Sequence, residues 1–452
     1  MDKSMERKLA AESTGWEATA PVFPGDAADG AVIVGASSAA RTEAVQHGWR
    51  VLAILSALMG FASISTDLYL PAMPAMGRAL HAGTGPVEWT ISAYLIGFSL
   101  GQLLWGPIGD RHGRRLPVAI GLVLFVIGSA GCAMAGGIWA MIGWRVVQAV
   151  GACASVVLAR AMVRDLYEGD RAAQMMSTLM MVMAIAPLLG PILGGQILAY
   201  LGWRAIFWTL VGVGLATLVA LYTLPETLPV ERRNHEPLTR ALARYAHFLR
   251  HRRLLGYAGA GGFFYGGMFA YIAGSPFAYI TYHHVPPRLY GLLFGAGVVG
   301  IMVTNFVNSR LVTRLGSDRL LLWGASAAAL AGLLLSVAAW TNRGGLAGLA
   351  IPLFLFISAT GFIVANSIAG ALAGFPERAG SVSALAGALQ YGSGIVGSAL
   401  VGILFDGTPR PMGLVIALAG VGSLLCTLLL IPANQRASSR PSGTAGETTD
   451  LA

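Results

Sequence analysis

Residues 88–115 read EWTISAYLIGFSLGQLLWGPIGDRHGRR. Through residue 108 the stretch is largely apolar, about the 20 residues that cross a ~30 Å hydrocarbon layer at ~1.5 Å per residue. It then stops in glycines, one aspartate and the basic residues Arg111, Arg114 and Arg115. A membrane helix ending in a basic turn is the unit this implies. Runs of the same kind recur at 51–73, 88–108, 117–136, 138–162, 174–201, 204–224, 255–282, 290–312, 319–340, 346–372, 381–404 and 411–431. Twelve spans follow, with tight turns where 136 meets 138 and 201 meets 204.

Composition agrees. The 452 residues are 55% hydrophobic and 11% charged, against about 25% charged in a soluble domain. Sixty glycines suit helices that approach backbone to backbone. Cys132, Cys153 and Cys426 all lie in apolar runs, so neither a disulfide framework nor a metal site is expected. A net charge of +9 raises nucleic-acid binding, but the basic residues are scattered between apolar runs, the pattern of membrane topology. They gather in the N-terminal segment, in the turns after spans 2 and 4, and in the loop after span 6. The opposite side holds only Arg78, Arg204, Arg288, Arg343 and Arg410. Both termini are therefore expected in the cytoplasm.

The expected organisation is a disordered tail at 1–48, a six-helix bundle at 49–225, a cytoplasmic linker at 226–254, a second bundle at 255–432 and a disordered tail at 433–452. Within the linker, Pro237 can open a helix with Leu238, Leu242, Tyr245 and Leu249 on one face, lying on the membrane surface, or the segment is simply a positively charged tether. A shift of 203 residues lays Arg111 and Gly113 on Arg314 and Gly316, and Gly194 on Gly397. An internal repeat of this kind implies two bundles related by an axis along the membrane normal, with the substrate cavity between them.

Charges inside hydrocarbon cost about 2.5–3.5 kcal/mol each, so one that stays there has a task or a partner. Asp67 in span 1 and Arg145 in span 4 stand out, both roughly 9 to 11 Å below the same boundary at helical rise. Matched depth allows them to pair, either as a static ion pair or as a proton switch. The loop Gly106-Pro107-Ile108-Gly109-Asp110-Arg111-His112-Gly113-Arg114-Arg115 offers a tight turn and a charge latch, with Asp110 able to meet the N-terminus of span 11. In span 5, Pro187, Gly190, Pro191, Gly194 and Gly195 imply a kinked, closely packed helix. Tyr94, Gln148, Tyr271 and Gln390 are the candidate cavity residues.

Together these segments resemble the major facilitator superfamily, and within it the twelve-span drug:proton antiporters. The loop Gly106 to Arg115 is similar to motif A, Arg145-x-x-Gln148 to motif B, and Gly190-Pro191-x-x-Gly194-Gly195 to the antiporter motif C. Ser65 to Pro71 and Ala159 to Gly169 resemble the bicyclomycin/chloramphenicol resistance (Bcr/CflA) branch. The resemblance covers about residues 50–432. It implies an all-α membrane protein of two six-helix bundles, with Asp67 as the proton or substrate carboxylate, Arg145 as the coupling residue and the span 5 motif as the seal between halves. Two departures are Ala149, where motif B usually has glycine and a methyl group should crowd the contact, and Thr313, where the second copy of motif A lacks its aspartate.

The expected function is proton-coupled export of small amphipathic compounds, antibiotics included, by a monomer in the inner membrane. Export of an endogenous metabolite and proton-coupled nutrient uptake are the alternatives. A membrane enzyme would need clustered His, Asp or Ser at one depth. His283-His284 stands isolated, and there is no P-loop. No cofactor is expected.

Overall fold

Without water in the bilayer core, each backbone N–H and C=O must be satisfied inside its own segment, so an apolar run of this length has to be helical. The computed structural model describes residues 30–167, 169–233, 251–373, 375 and 379–431, and all twelve runs are helical in it. The first half comprises α1 (Gly30–Asp67), a short α2 (Met73–Ala79), α3 (Thr84–His112), α4 (Arg115–Met134), α5 (Ile138–Leu166), α6 (Gly169–Leu201) and α7 (Trp203–Leu221). The second comprises α8 (Arg252–Pro276), α9 (Pro287–Leu315), α10 (Ser317–Thr341), α11 (Gly345–Ser358), α12 (Thr360–Ala373), α13 (Ala379–Ile403) and α14 (Arg410–Leu430). Among the described residues, ten helices are long and apolar enough to cross a membrane.

Three differences from the expectations above have physical causes. Residues 30–48 belong to α1 rather than to a disordered tail, as an alanine-rich, proline-free stretch permits. Span 1 is not continuous to 73: α1 stops at Asp67, and Pro71 and Pro74 open a short 3-10 turn and α2 in turn, since proline cannot donate to a continuing helix. The tenth span breaks at Ala359 into α11 and α12. The hydroxyl of Thr304, on α9, donates to the Ser358 carbonyl at 2.6 Å, so the break leaves no orphaned acceptor there. The proposed surface helix from Pro237 lies outside the described residues.

Among the described residues, those before Leu52 belong to a separate unit, and those from Leu52 onward form the bundle. Inside it the pairings repeat: α3 packs on α5 and α4 on α7, as α9 packs on α11 and α12 and α10 on α14. The halves meet through α3 against α13 and α6 against α9. Gly113 and Gly316, 203 residues apart, both follow their helices with left-handed φ, +88° and +79°, a conformation glycine adopts at no steric cost.

The face carrying Gly113 and the linker is termed the linker face, and the opposite one the far face. Near the far face the halves are in direct contact. The Ser92 and Ser398 hydroxyls hydrogen-bond at 2.8 Å. A Cβ on Gly85 would lie 2.5 Å from the Gly402 carbonyl oxygen, and one on Gly291 would lie 2.8 Å from the Ile192 nitrogen.

Candidate functional site

Asp67 is the last residue of α1, where unpaired carbonyls already concentrate negative potential. It is 5% exposed and makes no hydrogen bond or ion pair among the described residues. It lines a cavity of about 360 Å³ between the halves. Thr66, Tyr94 and Phe98 share the first-half wall with it, while Tyr265, Phe269, Tyr271, Phe294, Ile357 and Tyr391 face them from the second. Among the described residues Asp67 is the one acidic side chain on this lining.

The glycines of span 5 hold that carboxylate in place. A Cβ on Gly190 would lie 2.9 Å from the Cβ of Asp67, and one on Gly194 would strike the carbonyl oxygen of Leu68. Gly195 faces the other half, its Cβ position 3.0 Å from the Pro287 carbonyl oxygen. One short segment therefore packs on Asp67 through one side and on α9 through the other, and Pro187 joins the cavity wall.

Arg145 is completely buried, and it does not pair with Asp67. Its Nη1 donates to the Ser65 carbonyl at 3.0 Å and to Gln148 Oε1 at 2.5 Å, and Gln148 Nε2 donates to Ser129 at 2.8 Å. The guanidinium lies 4.2 Å from the Tyr69 ring centroid and 4.4 Å from that of Tyr94, within reach of cation–π attraction from both. Equal depth was the basis for allowing an ion pair; instead the Ser65 carbonyl and Gln148 take Nη1, and the rings of Tyr69, just after α1, and Tyr94, on α3, flank the guanidinium, while Nε and Nη2 have no hydrogen-bond partner among the described residues. Tyr94 touches Arg145 and lines the cavity beside Asp67. Ala149 is accommodated without crowding, since Gly97 stands opposite, its Cβ position 3.0 Å from the Ala149 methyl.

The linker-face loop closes on its own half. Asp110 accepts from Arg114 Nη1 at 2.6 Å, and Arg114 Nε donates to Asp165 at 2.8 Å. Glu226 accepts from the backbone N–H groups of Arg114, Thr227 and Leu228 at 2.7, 3.0 and 3.1 Å and from that of Arg115 at 3.1 Å. Partial burial pushes the Glu226 carboxyl up, but those four donors outweigh it and hold it below its ordinary value. Arg115 also donates to the Tyr222 carbonyl at 2.9 Å. At Gly113 a Cβ would fall 2.7 Å from Glu226 Oε2. Gly109 packs on Leu158, whereas nothing crowds Gly106, and Arg111 is exposed. Among the described residues Asp110 makes no bond to α13; its partner is Arg114.

Of the four cavity candidates, Tyr94 and Tyr271 line the cavity. Gln148 is buried behind the wall as a partner of Arg145, and Gln390 points instead toward Gly261. A helix turns 100° per residue, so Tyr391 takes the cavity-facing position beside Gln390. The ring cluster of Phe98, Tyr265, Phe269 and Tyr391, with centroids 5.0 to 6.1 Å apart along its contacts, was not expected from sequence. The aromatic spacing of Tyr265 and Phe269, one helical turn apart, was its only legible signal.

The model for the Major Facilitator Superfamily matches residues 52–398. The chain is 34% identical to an uncharacterized MFS-type transporter, YdgK, of Bacillus subtilis, over 82% of this chain and 93% of the relative. It is 30% identical to a bicyclomycin resistance protein homolog of Haemophilus influenzae, over 85% and 96%. The xylose transporter XylE from E. coli, in a partially occluded inward-open conformation, matches with a TM-score of 0.65 and 17% identity, covering 84% of this chain and 96% of that one; this likeness shows the fold of two six-helix bundles. With two such bundles around a shared cavity and a family match across most of its length, the chain belongs to the Major Facilitator Superfamily and is a multi-pass membrane transporter, not an enzyme.

Proposed function

We propose that the protein is a proton-coupled exporter of small amphipathic compounds that works as a monomer by alternating access. The observation that carries this reading is a single unpaired carboxylate, Asp67, on an otherwise aromatic and apolar cavity. A polyhydroxylated nutrient needs many convergent hydrogen-bond groups, because a buried hydroxyl without a partner is costly. This lining offers few, among them Ser63, Thr66 and the tyrosine hydroxyls. Flat aromatic faces with one acid suit a lipophilic molecule carrying a cationic or polar group. Cargo and proton then compete for Asp67, and the competition couples their opposed movements.

Relatives that carry the name of bicyclomycin resistance support a drug among the cargoes. The distribution of basic residues supports cytoplasmic termini, an inner-membrane location and an outward far face. The test is efflux from cells and uptake into inverted vesicles with and without the proton gradient. Transport should collapse with the gradient, and Asp67→Asn should bind cargo yet fail to move it uphill. Gradient-independent transport by both proteins would remove the antiport reading.

A further inference from the structure

Glu88 is the buried acid that the cycle just described leaves unused. It lies one turn into α3, four residues after Thr84, at the far face. Its side chain is wholly buried, and neither carboxyl oxygen has a hydrogen-bond partner among the described residues. Buried polar groups in folded proteins are nearly always bonded, and buried charges are paired. Glu88 faces a cavity of about 30 Å³, large enough to admit a water molecule. Other than Glu88, the walls come from the second half, including Phe277, Tyr282, Val401, Phe405 and Met412. A first-half acid is thus inserted into a second-half socket, beside the Gly85–Gly402 and Ser92–Ser398 contacts.

Charged neighbours are engaged elsewhere or stand apart. Tyr282, from the extension of α8, is the other ionisable group on this cavity. Before α14, Asp406 accepts from the Thr408 N–H and hydroxyl at 2.9 and 2.6 Å; Arg410 lies over the Trp340 ring at 5.2 Å and off this cavity's lining, its Nε without a hydrogen-bond partner among the described residues. Arg78 of α2 and the nearby His81 line an adjoining cavity that shares Phe277 and Thr281. From α13 and the turn after it, Val401, Phe405, Gly407, Thr408 and Pro409 line this cavity, none of them ionisable. Ionising Glu88 in place would leave a charge with no counterion, whereas separation of the halves would expose it to water.

We propose that Glu88 is a proton-binding site within the far-face seal, which closes on the neutral acid and opens by releasing that proton to the compartment on the same face. Closing takes one proton back. Because Glu88 is not on the lining of the central cavity, its proton enters and leaves by one side. It reports the pH of that compartment and adds nothing to the number of protons carried across. Low pH therefore favours the sealed state, and rising pH favours opening. The inference rests on alternating access alone and does not require Asp67 to be the coupling acid.

Hydrogen–deuterium exchange of the full chain in lipid nanodiscs tests it, with exchange at residues 84–92 and 398–405 followed against pH and corrected for the intrinsic rate. In the wild type the corrected exchange should rise by up to about tenfold per pH unit while one proton controls opening. Glu88→Gln should stay protected at every pH, and Glu88→Asp should retain a pH response. Glu88→Met, neutral and with no amide to satisfy, carries the same expectation as the glutamine variant if that one does not fold. The response should persist in Asp67→Asn, which separates this inference from the antiport reading. A wild type without pH response, a neutral Glu88 variant that follows the wild type, or a response lost only in Asp67→Asn would overturn it.

Discussion

Gly194 and Gly397 occupy equivalent places in the two halves. The first lies against the backbone of Leu68 at the end of α1, and the second against that of Gly266 in α8. The 203-residue shift that relates them carries Asp67 onto Ala270 and Arg145 onto Gly348. The halves therefore share this close packing, but among the described residues the carboxylate and the guanidinium at mid-depth both belong to the first. The second supplies most of the aromatic wall. Duplication preserved the small residues, because close backbone contact depends on them in both copies. The charges have no counterpart in the second copy, where Ala270 and Gly348 stand.

The strongest test of this asymmetry is Asp67→Asn, expected to reduce uphill efflux to the level of vesicles without the protein. Adding Ala270→Asp should not restore it, because that acid would lack the helix end and the glycine face that hold Asp67. Next is Arg145→Lys. An ammonium cannot lie flat between two rings while donating to Ser65 and Gln148, so transport should fall with cargo binding retained, and thermal unfolding should show a loss of about 1–3 kcal/mol. Gly113→Ala imposes a Cβ on a left-handed backbone against Glu226, with an expected stability cost of about 1–3 kcal/mol.

Glu226→Gln should have a smaller, pH-dependent effect. The Glu226 carboxyl is held below its ordinary value of 4.5, so its contribution to stability is complete above that value and is lost as pH falls through the lowered one. Melting curves of wild type and variant should differ at neutral pH and converge in acid. Smallest of all, Gln390→Leu should leave cargo affinity within about twofold, whereas Tyr391→Ala should weaken it by about tenfold through loss of an aromatic face. Reversal of that order would return Gln390 to the cavity wall in place of Tyr391.

The spans, the six-plus-six division and the glycine correspondence were legible because membrane helices must be long, apolar and closely packed. Asp67 and Arg145 were legible because charge in hydrocarbon is rare. What they do to one another was not. Equal depth suggested a pair, but a guanidinium between two tyrosine rings depends on where α1 ends, which three-dimensional packing decides. Gln390 was misplaced for a simpler reason: one residue of helical phase moves a side chain from the wall to the interior. Glu88 passed unnoticed because an acid near the start of an apolar run reads as a solvated boundary, and only the socket formed by α8, α13 and α14 encloses it.

The interruption at Ala359 bears on how many shapes the cavity accepts. Ile357, on its wall, sits two residues from a joint whose freed carbonyl is already satisfied by Thr304. Bending at this point would not orphan the Ser358 carbonyl, so the wall could yield there at little cost in backbone bonding. If the cargoes proposed above differ in size, this joint is where the partition would give, rather than the chamber as a whole.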